Sequence, residues 1–369
     1  MKILLTGAGG FIGRNFALAA DTVEDWDILA YHHTEGEQRL RELCQMAEAV
    51  VHLAGVNRPK EEREFIEGNI DFTRLLLKIL RERQCPCPVL MASSVQAEQD
   101  NPYGLSKRAA EEAVWSYASD TGATAYIYRL PNVFGKWCRP NYNSVVATFC
   151  HRMARGESIR IDVPEKKLCL VYIDDVVQEF MAALMGKGHK QREFYKVPIA
   201  HECSVGRLAQ LVQGFAACRQ NLSVPNLVEP LVSKLYSTYL SYLPEQGLSY
   251  CLSSHADMRG SFTEFMRTMG QGQVSVNICK PHIKKGGHWH QSKHEKFLVV
   301  AGEAVIRLRQ VEACQVLTYR VTGERLEVVE IPPGYTHEIE NVGETDLVTL
   351  MWANENFDPA RPDTYRLEV

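Results

Sequence analysis

The sequence has little that would suit a membrane, secreted or nucleic-acid-binding protein. No apolar run approaches the ~18 residues of a membrane span, and Met1 leads directly into an apolar stretch without a charged leader or a cleavage site. The formal net charge of -4, with no basic patch, disfavours nucleic acid as a partner. The 11 cysteines are an odd number without a C-x2-C pair, which indicates reduced thiols. We therefore expect a cytoplasmic protein that binds neither membranes nor nucleic acid.

The 369 residues are enough for two domains, and the sequence pattern changes near residue 247. Up to about residue 180, short apolar runs alternate with amphipathic stretches, which predicts a parallel, doubly wound α/β sheet. Predicted strands are 2–5, 27–31, 49–53, 89–92 and 125–130, and predicted helices are 11–19, 63–83, 103–117, 174–185 and 205–218. Short alternating strands beyond residue 247 predict an all-β barrel or jelly roll. The predicted domains are therefore 1–246 and 247–369.

A glycine-rich turn follows the first predicted strand and opens the first predicted helix. Gly7, Gly10 and Gly13 would allow a tight turn, close approach to a pyrophosphate, and close packing of helix on strand. The helix N-terminus would donate its unpaired N–H groups to the phosphates. A glycine triplet alone is often only a structural turn, but here it lies between a strand and a helix, which predicts a dinucleotide site. The second predicted strand is followed by His33, without a carboxylate for a ribose 2′-hydroxyl; this favours NADPH, with His33 as a candidate donor to the 2′-phosphate.

Three polar residues suit the reduction of a ketone. Tyr103 and Lys107 share one face of a predicted helix, so the ammonium group should lie near the phenol and lower its pKa. Tyr103 could then pass a proton to a carbonyl oxygen while a nicotinamide delivers hydride, with Ser94 bonded to the same oxygen. The pattern Y-x3-K is common on solvated helices, but the glycine loop and Ser94 favour catalysis.

The G-x2-G-x2-G spacing resembles the extended, sugar-nucleotide-modifying branch of the short-chain dehydrogenase/reductase superfamily. The resemblance implies a Rossmann-type fold and the catalytic residues Ser94, Tyr103 and Lys107. It also implies a cofactor site formed by Gly7, Gly10, Phe11, Ile12, Gly13, His33, Leu53, Ala54, Gly55 and Lys107. Asn132, in Arg129-Leu-Pro-Asn-Val-Phe-Gly, would flank the substrate cleft. Relatives that are dehydratases carry an Asp-Glu pair after the serine, whereas this chain has Val-Gln, which argues against dehydration.

The last third of the chain carries a second set of chemically informative residues. His288 and His290 are one residue apart and would point to the same side of a strand. Glu295 and His337, expected from neighbouring strands, complete a set of three nitrogens and one oxygen that suits Zn²⁺, Fe²⁺, Mn²⁺ or Ni²⁺. The spacing H-x-H-x4-E-x6-G with a later P-x-G-x2-H-x3-N resembles the two-part signature of the cupins. His282 occupies the position of the cupins' leading glycine, so we expect that turn to be altered.

Just upstream, residues 257–264 resemble the D-x-R-G-x-F-x-E segment of dTDP-4-keto-6-deoxysugar 3,5-epimerases, which are also cupins. The resemblance implies that Arg259 and Glu264 bind substrate, and arginine suits bidentate contacts with phosphate. Those epimerases use a metal-free histidine base, whereas this chain has predicted ligands on the matching strand. The residue that would remove the proton is therefore left open.

As a whole, the chain resembles the bifunctional CapF-type enzymes of bacterial capsular polysaccharide synthesis, notably in residues 128–137, 286–290 and 363–369. The resemblance implies C3 epimerisation of UDP-2-acetamido-2,6-dideoxy-hex-4-ulose followed by NADPH-dependent reduction of its C4 ketone. The product would be UDP-2-acetamido-2,6-dideoxy-L-talose, a precursor of UDP-N-acetyl-L-fucosamine. It also implies zinc and a homodimer. Two alternatives stay open: a single-activity reductase with a structural or dimerising cupin, and a redox sensor, against which the intact catalytic residues argue.

Overall fold

The structure is a computed structural model that describes residues 1–83, 85–268, 270 and 272–369. By its internal contacts the chain divides into one unit of residues 1–212 and 234–243 and another of residues 213–233 and 244–369. The second unit thus resumes at Pro244, close to the predicted start at 247, and also takes in 213–233, which the prediction assigned to the first domain. All 11 cysteines are thiols, most of them buried. Among the described residues, none of the helices combines the length and apolar character needed to cross a bilayer.

The first unit is built on the predicted parallel sheet. Its strands are β1 (Lys2–Thr6), β2 (Asp27–Tyr31), β3 (Ala49–His52), β4 (Val89–Ser94), β5 (Ala125–Leu130), β6 (Asn132–Phe134), β7 (Lys167–Tyr172), β8 (Lys190–Gln191), β9 (Phe194–Tyr195) and β10 (His201–Ser204). Seven of them form one sheet in the order β2-β1-β3-β4-β5-β9-β8, parallel except at β8, and β10-β7-β6 form a small second sheet. The order reverses between β1 and β3, and ligands of such sheets bind at this switch point.

Helices flank that sheet. They are α1 (Phe11–Ala20), α2 (Gly36–Met46), α3 (Arg63–Phe65), α4 (Phe72–Arg81), α5 (Pro102–Thr121), α6 (Val145–Met153) and α7 (Ile173–Leu184); two more, α8 (Val205–Asn221) and α9 (Pro230–Leu240), include residues of both units. Short 3-10 helices cover His33–Glu35, Val95–Glu98 and Glu245–Gly247. The predicted single helix 63–83 is wrong in one respect, because a π-helix at Ile66–Asp71 separates α3 from α4.

Side-chain alternation along the central strands gives the sheet two apolar faces. Ile3 and Leu5 belong to one buried cluster, with Phe16 and Phe180, and Leu4 belongs to the cluster on the other side. Such strands are buried on both faces, which explains their nearly continuous apolar sequence. The α/β prediction for this part of the chain is confirmed.

The second unit contains two sheets around a core of their own. The strands are β11 (Ser223–Val224), β12 (Ser254–Asp257), β13 (Gly260–Thr268), β14 (Gly272–Cys279), β15 (Lys284–Trp289), β16 (Glu295–Ala301), β17 (Glu303–Gln310), β18 (Val316–Thr322), β19 (Val328–Ile331), β20 (Tyr335–Asn341), β21 (Leu347–Ala353) and β22 (Tyr365–Arg366). One sheet has the order β11-β13-β14-β21-β16-β19, with β12 on β13, and the other is β18-β17-β20-β15-β22. Both are antiparallel except where β11 pairs with β13. Phe297, Ile306 and Ile339 are among the buried residues between them. The predicted all-β, cupin-type arrangement is confirmed.

Candidate active sites

The glycine-rich turn lies at the end of β1, at the switch point of the parallel sheet. Gly7 has a left-handed backbone, with a φ of 72°, which glycine adopts without strain. A Cβ atom on Gly13 would lie 2.2 Å from the backbone oxygen of Gly7, so only glycine allows α1 to pack this closely on the turn. Gly13 therefore serves packing, as the sequence indicated, and the other residues of the turn face the cavities described next.

Two cavities adjoin this turn and contain most of the predicted cofactor and catalytic residues. The first, of about 710 Å³, is lined by Gly7, Gly10, His33, Ala54 and Gly55, together with Phe72 and Glu67. The second, of about 610 Å³, is lined by Phe11, Ile12, Leu53, Gly55, Ser94, Tyr103, Lys107 and Asn132. Residues up to 125 positions apart in the sequence, Gly7 and Asn132, are thereby placed around one edge of the sheet, as parallel strands require.

Local structure fixes the predicted catalytic residues of the second cavity. The side chain of Asn101 accepts a hydrogen bond from the Gly104 amide at 2.8 Å and caps α5, which then begins with Pro102. Tyr103 and Lys107 therefore lie in the first two turns of a well-defined helix. Ser94 ends β4, and its hydroxyl accepts a hydrogen bond from the Gln96 amide at 3.2 Å. The sequence prediction that these three side chains come together agrees with this arrangement.

The pKa of Tyr103 is shifted in the direction opposite to the one that the sequence predicted. Burial lowers the pKa of Lys107 to about 8, against the opposing effect of Glu111, and its ammonium nitrogen donates to the Ala92 carbonyl at 3.2 Å. Burial also raises the pKa of Tyr103, and the hydrogen bond with Ser94 only partly offsets this. The expected lowering of the Tyr103 pKa by Lys107 is therefore wrong for this structure, because desolvation of the phenol dominates.

Asn69, which was not predicted, holds the loop after β3, and Gly55 and Val56 of this loop line both cavities. It is buried in the π-helix, and its amide oxygen accepts from the Val56 N–H at 2.7 Å. Its amide nitrogen donates to the Val56 carbonyl at 3.0 Å and to the Ser106 hydroxyl at 2.9 Å. A Cβ atom on Gly55 would lie 2.8 Å from the Asn69 amide oxygen. Asn69 thus holds the loop after β3 against α5, and π-turns are frequent at functional sites.

Glu111 is a second buried residue that the prediction did not include. It accepts hydrogen bonds from the Ser93 hydroxyl and from the Arg129 guanidinium, whose Nε and Nη2 lie 3.0 and 2.7 Å from the carboxylate. Ser93 precedes Ser94 on β4, and Arg129 lies on β5. The buried ion pair therefore ties both strands to the helix that carries Tyr103 and Lys107.

In the second unit, His288, His290, Glu295 and His337 form one cluster. One ligand atom from each lies within 4.8 Å of those of the others. His288 on β15 is directly opposite His337 on β20. Glu295 begins β16, which belongs to the facing sheet, so the expectation that it comes from a neighbouring strand is wrong. The cluster is thus held between the two sheets rather than on one.

The donor set of this cluster fits a divalent metal. The Nδ1 of His290 lies 2.6 Å from the Asp363 carbonyl and donates to it, which leaves Nε2 directed at the cluster. Within the described part of the chain, His290 Nε2 and Glu295 Oε2 are buried without a hydrogen-bond partner, 3.4 Å apart. Two buried polar atoms left in this way are accounted for by a bound cation. Three imidazoles and one carboxylate suit zinc and several other transition metals.

The protonation states of His288 and Glu295 are those of metal ligands. Burial, reinforced by His337 and His290, lowers the pKa of His288 to about 4, so its imidazole is neutral near pH 7. Burial alone would raise the pKa of Glu295, but His290 and His337 outweigh it and hold that pKa well below its usual range. A neutral imidazole and an ionised carboxylate are the forms that bind a metal.

Two further residues belong to turns of this unit. His282, at the position of the signature's leading glycine, has a φ of 60°, in the left-handed region that glycine adopts without strain. Asp363 was missed as well: its carboxylate accepts from the backbone N–H groups of residues 291–293 at 2.9 to 3.0 Å. Asp363 thereby orders the turn that follows His290.

A cavity of about 490 Å³ opens beside the cluster. His288, Glu295 and His337 line it together with Arg259 and other polar residues, namely His255, Asp257, Asn277 and Lys285. The Arg259 guanidinium is exposed and paired with Asp257 through Nη2 at 2.6 Å. Glu264 lies elsewhere, beside a separate cavity, in an ion pair with Arg267. The arrangement places Arg259, but not Glu264, beside the candidate metal centre.

Two family profiles match the chain. The NAD dependent epimerase/dehydratase family matches residues 3–197, and the polysaccharide biosynthesis C-terminal domain matches residues 255–365. A curated relative from Pseudomonas aeruginosa, UDP-2-acetamido-2,6-beta-L-arabino-hexul-4-ose reductase, is 44% identical over 369 residues, which are 100% of this chain and 99% of the relative.

Solved structures extend this likeness to the fold. The capsular polysaccharide assembling protein CapF from Staphylococcus aureus has a TM-score of 0.95 and 48% identity, with 100% of both chains covered. A UDP-glucuronic acid 4-epimerase from Bacillus cereus, in complex with NAD, has a TM-score of 0.55 and 19% identity over 66% of this chain and 98% of its own. This more distant likeness shows the fold of the first part alone.

Proposed function

Because the chain belongs to the NAD dependent epimerase/dehydratase family and, over its whole length, to the CapF-type capsular polysaccharide enzymes, we propose that it is a bifunctional sugar-nucleotide enzyme. In this proposal the second unit inverts C3 of UDP-2-acetamido-2,6-dideoxy-hex-4-ulose, and the first unit reduces the C4 ketone with NADPH. The product is UDP-2-acetamido-2,6-dideoxy-L-talose, a precursor of UDP-N-acetyl-L-fucosamine. The observation that carries the proposal is that one chain holds a buried Ser-Tyr-Lys site and a buried His-Glu cluster, each beside a cavity.

The first unit has the groups that a ketone reduction needs. NADPH, when bound, supplies the hydride that adds to C4. Tyr103 gives its phenolic proton to the ketone oxygen, and its raised pKa suits a residue that must be protonated near neutral pH. Ser94, on the same cavity wall, hydrogen-bonds that oxygen, and Lys107 contacts the nucleotide. Asn132 also lines this cavity and is proposed to contact the substrate.

The preference for NADPH over NADH is supported at the end of β2. His32 and His33 follow this strand and line the first cavity, where a carboxylate would otherwise hold a ribose 2′-hydroxyl. Imidazole N–H groups can donate to a 2′-phosphate. Binding measurements with NADPH and NADH on the same preparation decide this part of the proposal, and a preference for NADH would contradict it.

In the second unit, His288, His290, Glu295 and His337 would hold a divalent metal, for which we propose zinc. A metal ion bound there would draw electron density from a nearby ketone and make the adjacent C–H more acidic. Arg259 lines the same cavity and offers a guanidinium to the diphosphate of the substrate. The chemistry fixes the order of the two steps, because reduction removes the ketone that makes the C3 proton acidic.

The Tyr103→Phe variant tests the two-site proposal. It removes one hydroxyl, so NADPH oxidation should fall about 10²- to 10⁴-fold, the usual contribution of a general acid. Solvent exchange at C3, followed by mass spectrometry, should stay at the wild-type rate, since the second unit is unchanged. Tyr126→Phe is the matched control, because Tyr126 packs against Tyr195 away from both cavities.

Equal loss of both activities in Tyr103→Phe would contradict the two-site proposal. If the wild type oxidises NADPH but never exchanges the C3 proton, the chain is instead a single-activity reductase whose cupin serves structure or dimerisation. Product analysis by NMR completes the test, since the proposal requires a product inverted at C3 and reduced at C4.

A further inference from the structure

A β-bulge in β15 alters which side chains face the candidate metal centre. Lys285 pairs with Ile339 and Gly286 with Glu338 on β20, but His288 pairs with His337, so the register shifts by one residue at Gly286-Gly287. Without the bulge, residues 285 and 288 would point to opposite faces, because side chains alternate along a strand. The extra residue reverses that alternation. Lys285 and His288 therefore both line the cavity beside the cluster.

Glycine is required for this bulge. Gly286 and Gly287 have φ values of 110° and 70°, and a Cβ atom on Gly286 would lie 2.6 Å from the His337 carbonyl oxygen. The two preceding lysines consequently have different surroundings. Lys284 is ion-paired with Glu338 at 2.8 Å on the other side of the strand, whereas Lys285 is half-buried in the cavity wall.

The Lys285 amine is held by two neutral acceptors. Its Nζ donates to the Asn277 amide oxygen and to the Ile278 carbonyl, both at 2.9 Å. Burial lowers the pKa of Lys285, Cys279 and Asp257 act in the opposite direction, and Arg259 adds to the lowering. In its neutral form, the amine would donate one N–H group to each of these two acceptors, and its lone pair would stay free. Such an amine can take a proton from a substrate in the cavity.

Asn277 provides a separate indication that a ligand binds here. It is only 4% exposed and lines the same cavity. Its amide nitrogen is buried and, among the described residues, has no hydrogen-bond partner. A buried donor left in this way requires an explanation, and an oxygen atom of a bound sugar would satisfy it.

The other titratable side chains of the cavity are poor candidates for a base. His288, Glu295 and His337 belong to the cluster that fits a metal, so their lone pairs are committed. Asp257 hydrogen-bonds Arg259, which holds the pKa of that exposed carboxyl below its usual range and makes it a weak base. His255 lies on an exposed strand at the cavity edge and is the rival candidate.

We propose that Lys285 is the base that removes the C3 proton of the 4-keto sugar; this inference rests on the proposed function. In its neutral form the Lys285 amine accepts the proton and becomes an ammonium group. The C–H electron pair forms a C3=C4 double bond, and the carbonyl π pair moves to the ketone oxygen. The enolate then takes a proton at C3 from water on the opposite face, which leaves hydroxide, and the ammonium proton neutralises that hydroxide.

The test measures deuterium incorporation at C3 in D₂O without NADPH, using the metal-loaded protein and the UDP-4-keto sugar. Lys285→Ala should lose at least about 100-fold in exchange rate, with metal content unchanged by elemental analysis. Small primary amines added to Lys285→Ala should restore exchange in proportion to their basicity. Lys285→Arg should stay inactive, because a guanidinium keeps its proton at these pH values. Lys284→Ala is the matched control and should exchange at the wild-type rate.

The outcomes separate this inference from the proposed function. If Lys285→Ala exchanges the C3 proton at the wild-type rate, the role of Lys285 is overturned and the proposed function stands. The same holds if Lys285→Arg exchanges within about tenfold of the wild-type rate. Loss of exchange in His255→Gln but not in Lys285→Ala assigns the base to His255 and also overturns it. A wild type that never exchanges the C3 proton overturns the epimerase half of the proposed function itself.

Discussion

Replacing Lys107 with methionine should stabilise the first unit while it abolishes ketone reduction. Lys107 is 8% exposed, and burial moves its pKa from 10.5 to about 8. Each tenfold change in this equilibrium is about 1.4 kcal/mol, so keeping the side chain charged near pH 7 costs the fold about 3 kcal/mol. Methionine has a similar length and no charge. The substitution leaves the Ala92 carbonyl without its hydrogen-bond donor, which reduces the gain in unfolding free energy by about 1 to 2 kcal/mol.

The net expectation is a gain of about 1 to 2 kcal/mol at pH 7, or roughly 2 to 8 °C in melting temperature for a unit of this size. The sign of the pH dependence follows from the lowered pKa. Between pH 8 and 10.5 the unfolded chain binds more protons at Lys107 than the folded chain does, so wild-type stability rises with pH across this window. The advantage of Lys107→Met should therefore be largest below pH 8 and shrink as the pH approaches 10.5.

Thermal unfolding at pH 7 and near pH 9.5 measures this difference, and NADPH oxidation on the 4-keto substrate measures the loss of activity. Lys78→Met on α4 is the control, because Lys78 is exposed and its replacement should leave both quantities unchanged. A lower melting temperature for Lys107→Met at pH 7, or an advantage that grows with pH, would refute the reasoning from burial.

Three further changes have defined outcomes. Gly13→Ala would place a Cβ atom 2.2 Å from a backbone oxygen and should weaken NADPH binding at least about tenfold, as measured by calorimetry. A Cβ atom on Gly9 would have no atom within 4 Å, so the control variant Gly9→Ala should bind NADPH normally. Asp363→Ala removes the hydrogen bonds that order residues 291–293 and should weaken metal retention about 10- to 100-fold in a chelator competition; unchanged retention would argue against its supporting role. His282→Gly relieves a φ of 60° and should raise stability by up to about 1 kcal/mol in thermal unfolding, and a clear loss would show that its side chain is needed.

Local spacing was enough to predict which residues lie together around the first candidate site and in the His-Glu cluster of the second. The placement of the first site depends on one turn, one strand end and one helix face, and each of these is encoded within a few residues. The residues so placed are Gly7, Ser94, Tyr103 and Lys107. The π-helix that carries Asn69 was not predictable, because its apolar pattern differs little from that of a continuous α-helix. The sequence therefore did not indicate that an amide would hold the loop after β3 against α5.

What depends on long-range packing could not be anticipated. Glu295 comes from the facing sheet, and Asp363 reaches the turn after His290 from about 70 residues away. The pKa of Tyr103 depends on how deeply the phenol is buried, and spacing to Lys107 carries no information on burial. The bulge that turns Lys285 inward was hinted at by Gly286-Gly287, but only the register of β15 on β20 shows its consequence.

The most direct test of two ordered chemistries on one chain is deuterium exchange by the wild-type enzyme in the absence of NADPH. The protein is incubated with the UDP-4-keto-6-deoxy-HexNAc in D₂O, the sugar is analysed by mass spectrometry, and NADPH is then added. The account predicts deuterium at C3 before any reduction, followed by NADPH oxidation that yields a C3-deuterated product. NADPH oxidation with no deuterium at C3 would contradict it and reduce the cupin to a structural or dimerising role.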